Sequence, residues 1–160
     1  MKQNLYYQLA NNFELKIGGV VEIKKGNDLY VLVYQRIYGN RREKYLEWTR
    51  GGVTSGSVEN NVMREIKEET GLNVRVVRPL MLNIYQAPKI NYTDCQIYFI
   101  CQPIKSINVD KVWRHQDSDP KKKGKRWYEC HFVKAKNLKP SNFRNGQDKV
   151  IRYYLKTINQ

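Results

Sequence analysis

The chain has 160 residues, of which 41% are hydrophobic and 12% aromatic, a composition that excludes global disorder. Lys and Arg number 29 against 15 Asp and Glu, a formal charge of +14, which points to polyanionic partners without naming one. No apolar run approaches the roughly 18 residues a membrane helix needs, residues 1–20 lack the pattern of a signal peptide, and Cys95, Cys101 and Cys130 form no C-x-x-C pair, so a reduced, cytoplasmic protein with no membrane partner is expected.

Residues 15–24 and 29–35 are rich in β-branched and aromatic side chains and flank Lys25-Gly26-Asn27-Asp28, which predicts a hairpin. Residues 37–44 are polar and basic and read as a loop before the short apolar piece Tyr45-Leu46-Glu47-Trp48. Residues 51–57 read as a flexible turn. Ser57 is placed to cap a helix, Val58, Val62, Met63 and Ile66 recur at helical spacing, and Gly71 supplies the stop. Residues 74–85 and 94–104 then read as strands, 108–125 as a polar segment, 127–133 as a strand and 147–158 as an amphipathic closing helix. With no internal repeat or linker, that order predicts one domain over residues 1–160 of the α/β (α+β) class, a mixed sheet covered by helices.

The chemistry concentrates in Arg64-Glu65-Ile66-Lys67-Glu68-Glu69-Thr70-Gly71-Leu72. At about 100° per residue, Glu65, Glu68 and Glu69 fall within roughly a 100° arc of one helix. Such a cluster is costly without cations, and carboxylates are hard oxygen ligands suited to Mg²⁺ or Mn²⁺ beside phosphate. Arg64 stands at i, i+4 from Glu68, where it can pair with the carboxylate. Taken alone, three glutamates on a helix are most often a solvated acidic face.

The surrounding residues change that balance, because residues 51–72 resemble the Nudix box, Gly-x5-Glu-x7-Arg-Glu-U-x-Glu-Glu-x-Gly-U with U a bulky aliphatic residue. The second half is matched at Arg64, Glu65, Ile66, Glu68, Glu69, Gly71 and Leu72. The first half departs: Gly52 to Arg64 spans twelve positions where the pattern has fourteen, and no glutamate stands at the first Glu position, Glu59 being out of register. The resemblance implies a Nudix-like α/β/α sandwich, a divalent ion (Mg²⁺ or Mn²⁺) held by Glu65, Glu68 and Glu69, and hydrolysis of a pyrophosphate bond in a nucleoside diphosphate derivative. It further implies that Glu65 and Glu68 act in catalysis, that Arg64 orients a glutamate and that Gly52 shapes the substrate loop. A general base outside the box is common in the family, and Asp117 and Asp119, with Glu129 as an outsider, are the acids in the corresponding region. The missing glutamate keeps open a second reading, a catalytically silent Nudix-like module that binds nucleotide or RNA through a basic surface.

Two basic segments could flank such a site: Arg41, Arg42 and Lys44 before the box, and Lys121-Lys122-Lys123-Gly124-Lys125-Arg126 running into Trp127. Basic side chains beside aromatics suit RNA or nucleotide binding, although a lysine-rich hairpin in solvent has the same composition. Arg50, Lys123 and Arg126 are therefore candidate substrate contacts. Trp48, just ahead of Gly51-Gly52, is another, with core packing as its competing role. Dimerisation is compatible with the expected fold, but no residue pattern points to a homodimer.

Overall fold

Strand pairing begins with the expected hairpin. In a computed structural model that describes residues 13–86, 93–119, 126–144 and 146–159, β1 (Phe13–Lys25) turns through Gly26 into β2 (Asp28–Tyr38). Gly26 has a φ of 61°, a left-handed conformation that glycine adopts at little cost. β2 runs past its expected end, and the two-residue β3 (Arg41–Arg42) folds back on it with Tyr38 opposite Arg41. Part of the expected loop is therefore strand. The Gly51-Gly52 pair also departs from expectation: it lies in β4 (Thr49–Gly52), antiparallel to β1 with Ile17 opposite Gly51. Glycine within a strand commonly marks close approach of another group, and that group is identified below.

Helix α1 (Val58–Thr70) starts and stops as its sequence predicts. Ser57 Oγ accepts from the Asn60 amide at 3.1 Å, and Gly71, at φ 76°, closes the last turn by donating to the Lys67 carbonyl at 2.9 Å. β5 (Val74–Gln86) and β6 (Thr93–Pro103) follow, then β7 (Trp113–Gln116), β8 (Trp127–Lys134) and α2 (Asp148–Ile158). β7 arises within the segment expected to be an irregular polar stretch. It pairs with β8, and Trp113 Nε1 donates to the Thr70 carbonyl at 2.8 Å, anchoring β7 to the end of α1.

The sheet runs β5-β6-β1-β2-β8-β7, with β3 against β2 and β4 against β1. β1 and β6 are parallel and the other pairs antiparallel, which makes the sheet mixed. One edge of β1 is divided: residues 16–19 pair with β4 and residues 22–25 with β2. Strand periodicity then sorts the core. Leu32 and Tyr34 pack toward Val62 and Ile66 of α1, while Val31 and Val33 pack toward Val150, Ile151 and Tyr154 of α2. The two helices thus cover opposite faces, an α+β sandwich with the mixed sheet in the middle.

Trp48 belongs to the α2 side. It is 1% exposed, edge-on to Phe143 and Tyr154 with ring centroids at 5.4 and 5.3 Å, so the substrate contact offered for it is replaced by core packing. Gln147, at the start of α2, accepts from the Trp48 amide at 3.0 Å and donates to the Trp48 carbonyl at 2.8 Å. The three cysteines are free thiols, and burial pushes the Cys101 thiol up to about 12. No helix among the described residues is long and apolar enough to cross a membrane.

Because Gln147 satisfies two buried backbone groups, Gln147→Ala is expected to destabilise the fold by about 2–6 kcal/mol, from roughly 1–3 kcal/mol per stranded group. Urea unfolding reads this as a lower midpoint at unchanged slope.

Candidate active site

A cavity of about 470 Å³ opens beside the divided edge of β1. Glu14 and Lys16 of β1, Arg36 of β2, Arg50, Gly51 and Gly52 of β4, and Glu65 and Glu69 of α1 line it, with Arg126 and Asp119 contributed by loops. A separate concavity of about 420 Å³ at the C-terminal end of α1 is lined by Leu72, Trp113 and His115 among others and by no carboxylate. Only the first has the chemistry that the sequence anticipates.

Arg64 organises the first cavity. Its Nη1 donates to Glu68 Oε2 at 2.7 Å, and its Nη2 donates to Glu65 Oε1 at 2.7 Å and to the Gly52 carbonyl at 3.0 Å. Burial works against the guanidinium charge, but Glu68 and Glu65 outweigh it, leaving the Arg64 pKa above its ordinary value. One side chain thereby ties two carboxylates of the helix to the last residue of β4. The glycine that this packing requires is Gly51 rather than Gly52. A Cβ at Gly51 would overlap the Glu65 carboxylate, whereas one at Gly52 would meet open space. Gly52 contributes its carbonyl instead.

Glu69 is 1% exposed and is held by two phenols that sequence reading did not find. Tyr34 Oη donates to Glu69 Oε2 at 2.7 Å, and Tyr128 Oη lies 3.1 Å from Glu69 Oε1. Tyr128 Oη is also 3.0 Å from Asp117 Oδ2. The two rings meet edge-on at 4.7 Å. Tyr34 and Tyr128 occupy inward positions of β2 and β8, and only the strand register, with Arg36 opposite Tyr128, reveals that they share a face.

The shortened loop after Gly52 is closed by Asn61, which is 1% exposed. Its Oδ1 accepts from the Thr54 amide at 2.8 Å and from Thr54 Oγ1 at 2.9 Å, and its Nδ2 donates to the Ser57 carbonyl at 2.8 Å. Glu59, the nearby acid considered for the first Glu position, is exposed in the first turn of α1. Sequence reading did not single out Asn61, whose partners depend on how the loop before α1 folds back on it.

The two candidate bases separate. Asp119 lines the cavity, while Asp117 is buried, faces Tyr128 and accepts from the Asp119 amide at 3.0 Å through Oδ1. The Ser118 amide donates to the Glu68 carbonyl at 3.2 Å, which brings this turn to α1. Glu129 is removed from the site: it sits on the face opposite Tyr128 and pairs with Arg42 and Arg114. The basic loop before the box divides in the same way, with Arg41 opposite Tyr38 and Arg42 opposite Ile37. Arg50 lines the cavity 3.7 Å from Asp94, and Arg126 lines it as well. Lys123 lies outside the described residues.

The cavity also has a buried ion pair at its back. Arg36 Nη2 donates to Glu47 Oε2 at 2.7 Å, with Glu47 2% exposed. Burial pushes the Glu47 carboxyl up, with Arg36 and Arg144 opposing it. Burial also works against the Arg36 charge, but Glu47 holds the Arg36 pKa above its ordinary value. Among the described residues no three His, Cys, Asp or Glu side chains converge closely enough to cage a metal ion: Arg64 draws Glu65 and Glu68 to itself, and the tyrosines hold Glu69. Hard carboxylate oxygens of Glu65 and Glu69 nevertheless line the cavity beside Arg50 and Arg126, a donor set that suits a divalent cation keeping water and substrate oxygens in its shell.

The backbone has close counterparts among solved structures. A NUDIX hydrolase from Nitrosomonas europaea superposes with a TM-score of 0.64 at 16% identity, covering 90% of this chain and 89% of that one. The chain has the Nudix hydrolase fold. Two further structures share it: the NUDIX domain of Shewanella oneidensis NrtR complexed with ADP-ribose (TM-score 0.63, 10% identity, 91% and 88% coverage) and an ADP-ribose pyrophosphatase from Streptococcus suis (TM-score 0.55, 16% identity, 92% of each chain). No protein-family model matches the chain, and no curated protein is significantly similar in sequence. Within the Nudix fold, residues 64–72 form the second half of α1 and its C-terminal stop, as the box resemblance implies.

Two outcomes test this geometry. Gly51→Ala would force Glu65 from its place beside β4. The expected cost is about 1–3 kcal/mol, read by urea unfolding, whereas Gly52→Ala is expected to unfold at the wild-type midpoint. Burial holds the pKa of Tyr34 and Tyr128 well above the ordinary phenol and raises Tyr98 to about 12. An unfolded tyrosine ionises near pH ~10, so the stability from these phenols is complete below that pH and is lost as pH rises toward the folded values. The last phenolate absorbance should therefore appear only above about pH 11; a titration already complete below that pH in folded protein would contradict the assigned burial.

Proposed function

We propose that this protein is a divalent-metal-dependent Nudix-type pyrophosphohydrolase that cleaves a pyrophosphate bond in a nucleoside diphosphate derivative by attack of water. The observation that carries this reading is the clasp at Arg64, which gathers Glu65 and Glu68 of the box helix against the Gly52 carbonyl, beside a cavity lined by further arginines. The shared fold, and the ADP-ribose and pyrophosphatase descriptions of two structures that have it, support the same substrate class.

In this reading Glu65, Glu68 and Glu69 would hold Mg²⁺ or Mn²⁺, which would supply charge neutralisation at phosphorus and a lowered pKa for an attacking water. The chain does the positioning, which is most of what phosphoryl transfer requires. Arg64 sets the orientation of Glu65 and Glu68, Arg50 engages phosphate oxygens, and Asp119 receives the proton of the water. Asp117 holds the turn that presents Asp119.

The test is release of phosphate or nucleotide from nucleoside triphosphates, ADP-ribose, nucleotide sugars, dinucleoside polyphosphates and 5′-triphosphorylated RNA, with Mg²⁺ or Mn²⁺. Turnover of at least one member is expected. It should fall on the order of 100-fold or more in Asp119→Asn, and at least as far in Glu68→Gln, with the circular dichroism of both variants unchanged. A folded wild-type protein that turns over no member with either ion overturns the proposal and favours a binding module.

A further inference from the structure

One face of β2 carries Tyr34, Arg36 and Tyr38 at alternate positions, and strand periodicity aims all three to the same side. The neighbouring strand repeats the arrangement. Tyr34 stands opposite Cys130 and Arg36 opposite Tyr128, and continuing the register past Ile37 opposite Trp127 brings Arg126 to Tyr38. The Arg126 guanidinium lies over the Tyr38 ring at 5.9 Å from its centroid. At its inner end this row meets Glu69 through Tyr34 and Tyr128. At its outer end Tyr38 is 38% exposed, with Arg41 as its cross-strand partner.

The row is therefore graded: carboxylate at the inner end, a guanidinium lining the cavity in the middle, an open aromatic with a second guanidinium at the rim. From Tyr34 to Tyr38 the strand advances about 13 Å, at roughly 3.3 Å per residue. Arg36 is braced from behind by Glu47, which fixes its fork at the cavity wall without filling that cavity. An exposed tyrosine backed by arginine is a surface on which a nucleobase stacks, and such stacking tolerates any base because every base has a π face.

We propose that this row is a nucleotide subsite: Arg36 takes a phosphate of the substrate, and Tyr38 with Arg126 takes the nucleobase, so that the nucleotide lies along β2 with its base at the rim. This rests on the pyrophosphohydrolase reading for its purpose but not for its measurement, since binding is measured without turnover. Tyr38 and Arg36 are substrate-binding residues here, and neither enters the metal chemistry.

The experiment titrates metal-free wild-type protein, in chelator, with ADP and separately with inorganic tripolyphosphate, which carries phosphate charge and no base. Calorimetry is expected to show ADP bound more tightly. Tyr38→Ala is expected to weaken ADP about tenfold and to leave tripolyphosphate unchanged, while Tyr38→Phe keeps wild-type affinity for both. Arg36→Met is expected to weaken both ligands. Equal affinity for ADP and tripolyphosphate in the wild type, no binding of ADP, or a Tyr38→Ala variant that loses both ligands alike overturns the subsite. Should Arg36→Met fail to fold because Glu47 loses its partner, Arg36→Lys serves in its place, with weaker binding of both ligands again expected and unchanged binding of both counting against the proposal. The two readings fail separately: absence of turnover with the ADP preference and its Tyr38 dependence intact refutes only the hydrolase, and turnover without that preference refutes only the subsite.

Discussion

Glutamates one turn apart on a helix repel one another, and burying them in a protein interior raises that cost. The Arg64 guanidinium resolves it by lying between Glu65, Glu68 and the Gly52 carbonyl. Helix, loop and strand are joined at that point, so the position of α1 over the sheet and the shape of the cavity wall are set together. A lysine could not replace it. Three separate acceptors are reached by one planar group with several donors, which a single ammonium on a flexible stem does not match. Glu69 lies outside this clasp and is satisfied by a different device, two buried phenols, which hold a carboxylate without adding a competing positive charge.

The clasp works only because β4 reaches it. The edge of β1 is shared between β4 and β2, and where β4 runs beside the helix its backbone must come close to the Glu65 carboxylate. Gly51 permits that approach. The two-residue shortening of the loop is accommodated beyond β4, where Asn61 bonds Thr54 and Ser57 and so closes the connection from inside. A neutral amide serves here because it both donates and accepts, tying backbone on either side of itself.

Much of this was legible in the sequence, and the boundary of legibility is physical. The box helix, its cap at Ser57 and its stop at Gly71 follow from local rules; helical angle puts the three glutamates on one side of α1, but it does not show that Arg64 takes two of them and the tyrosines the third. The hairpin, the strands over residues 74–85, 94–104 and 127–133, and the closing helix were likewise readable from periodicity and turn residues. What depended on strand register was not. Nothing local says whether Gly51 or Gly52 faces the helix, that Tyr34 and Tyr128 converge on Glu69, or that Arg41 and Arg42 point to opposite faces. Trp48 illustrates the same limit: its place before the glycines suggested the substrate, while its pairing with Gln147, 99 residues away, puts it in the core. β7 was missed because its four residues, Trp113–Gln116, are mostly polar, and its partner strand, more than its composition, makes it a strand.

The Tyr128 hydroxyl lies 3.1 Å from one carboxylate and 3.0 Å from another, yet it owns a single hydrogen. It can serve Glu69 of the helix or Asp117 of the turn, but not both at once. Tyr128 is thus a single donor shared between the acid of the box helix and the acid whose other oxygen accepts from the Asp119 amide, so helix and turn meet at one phenol.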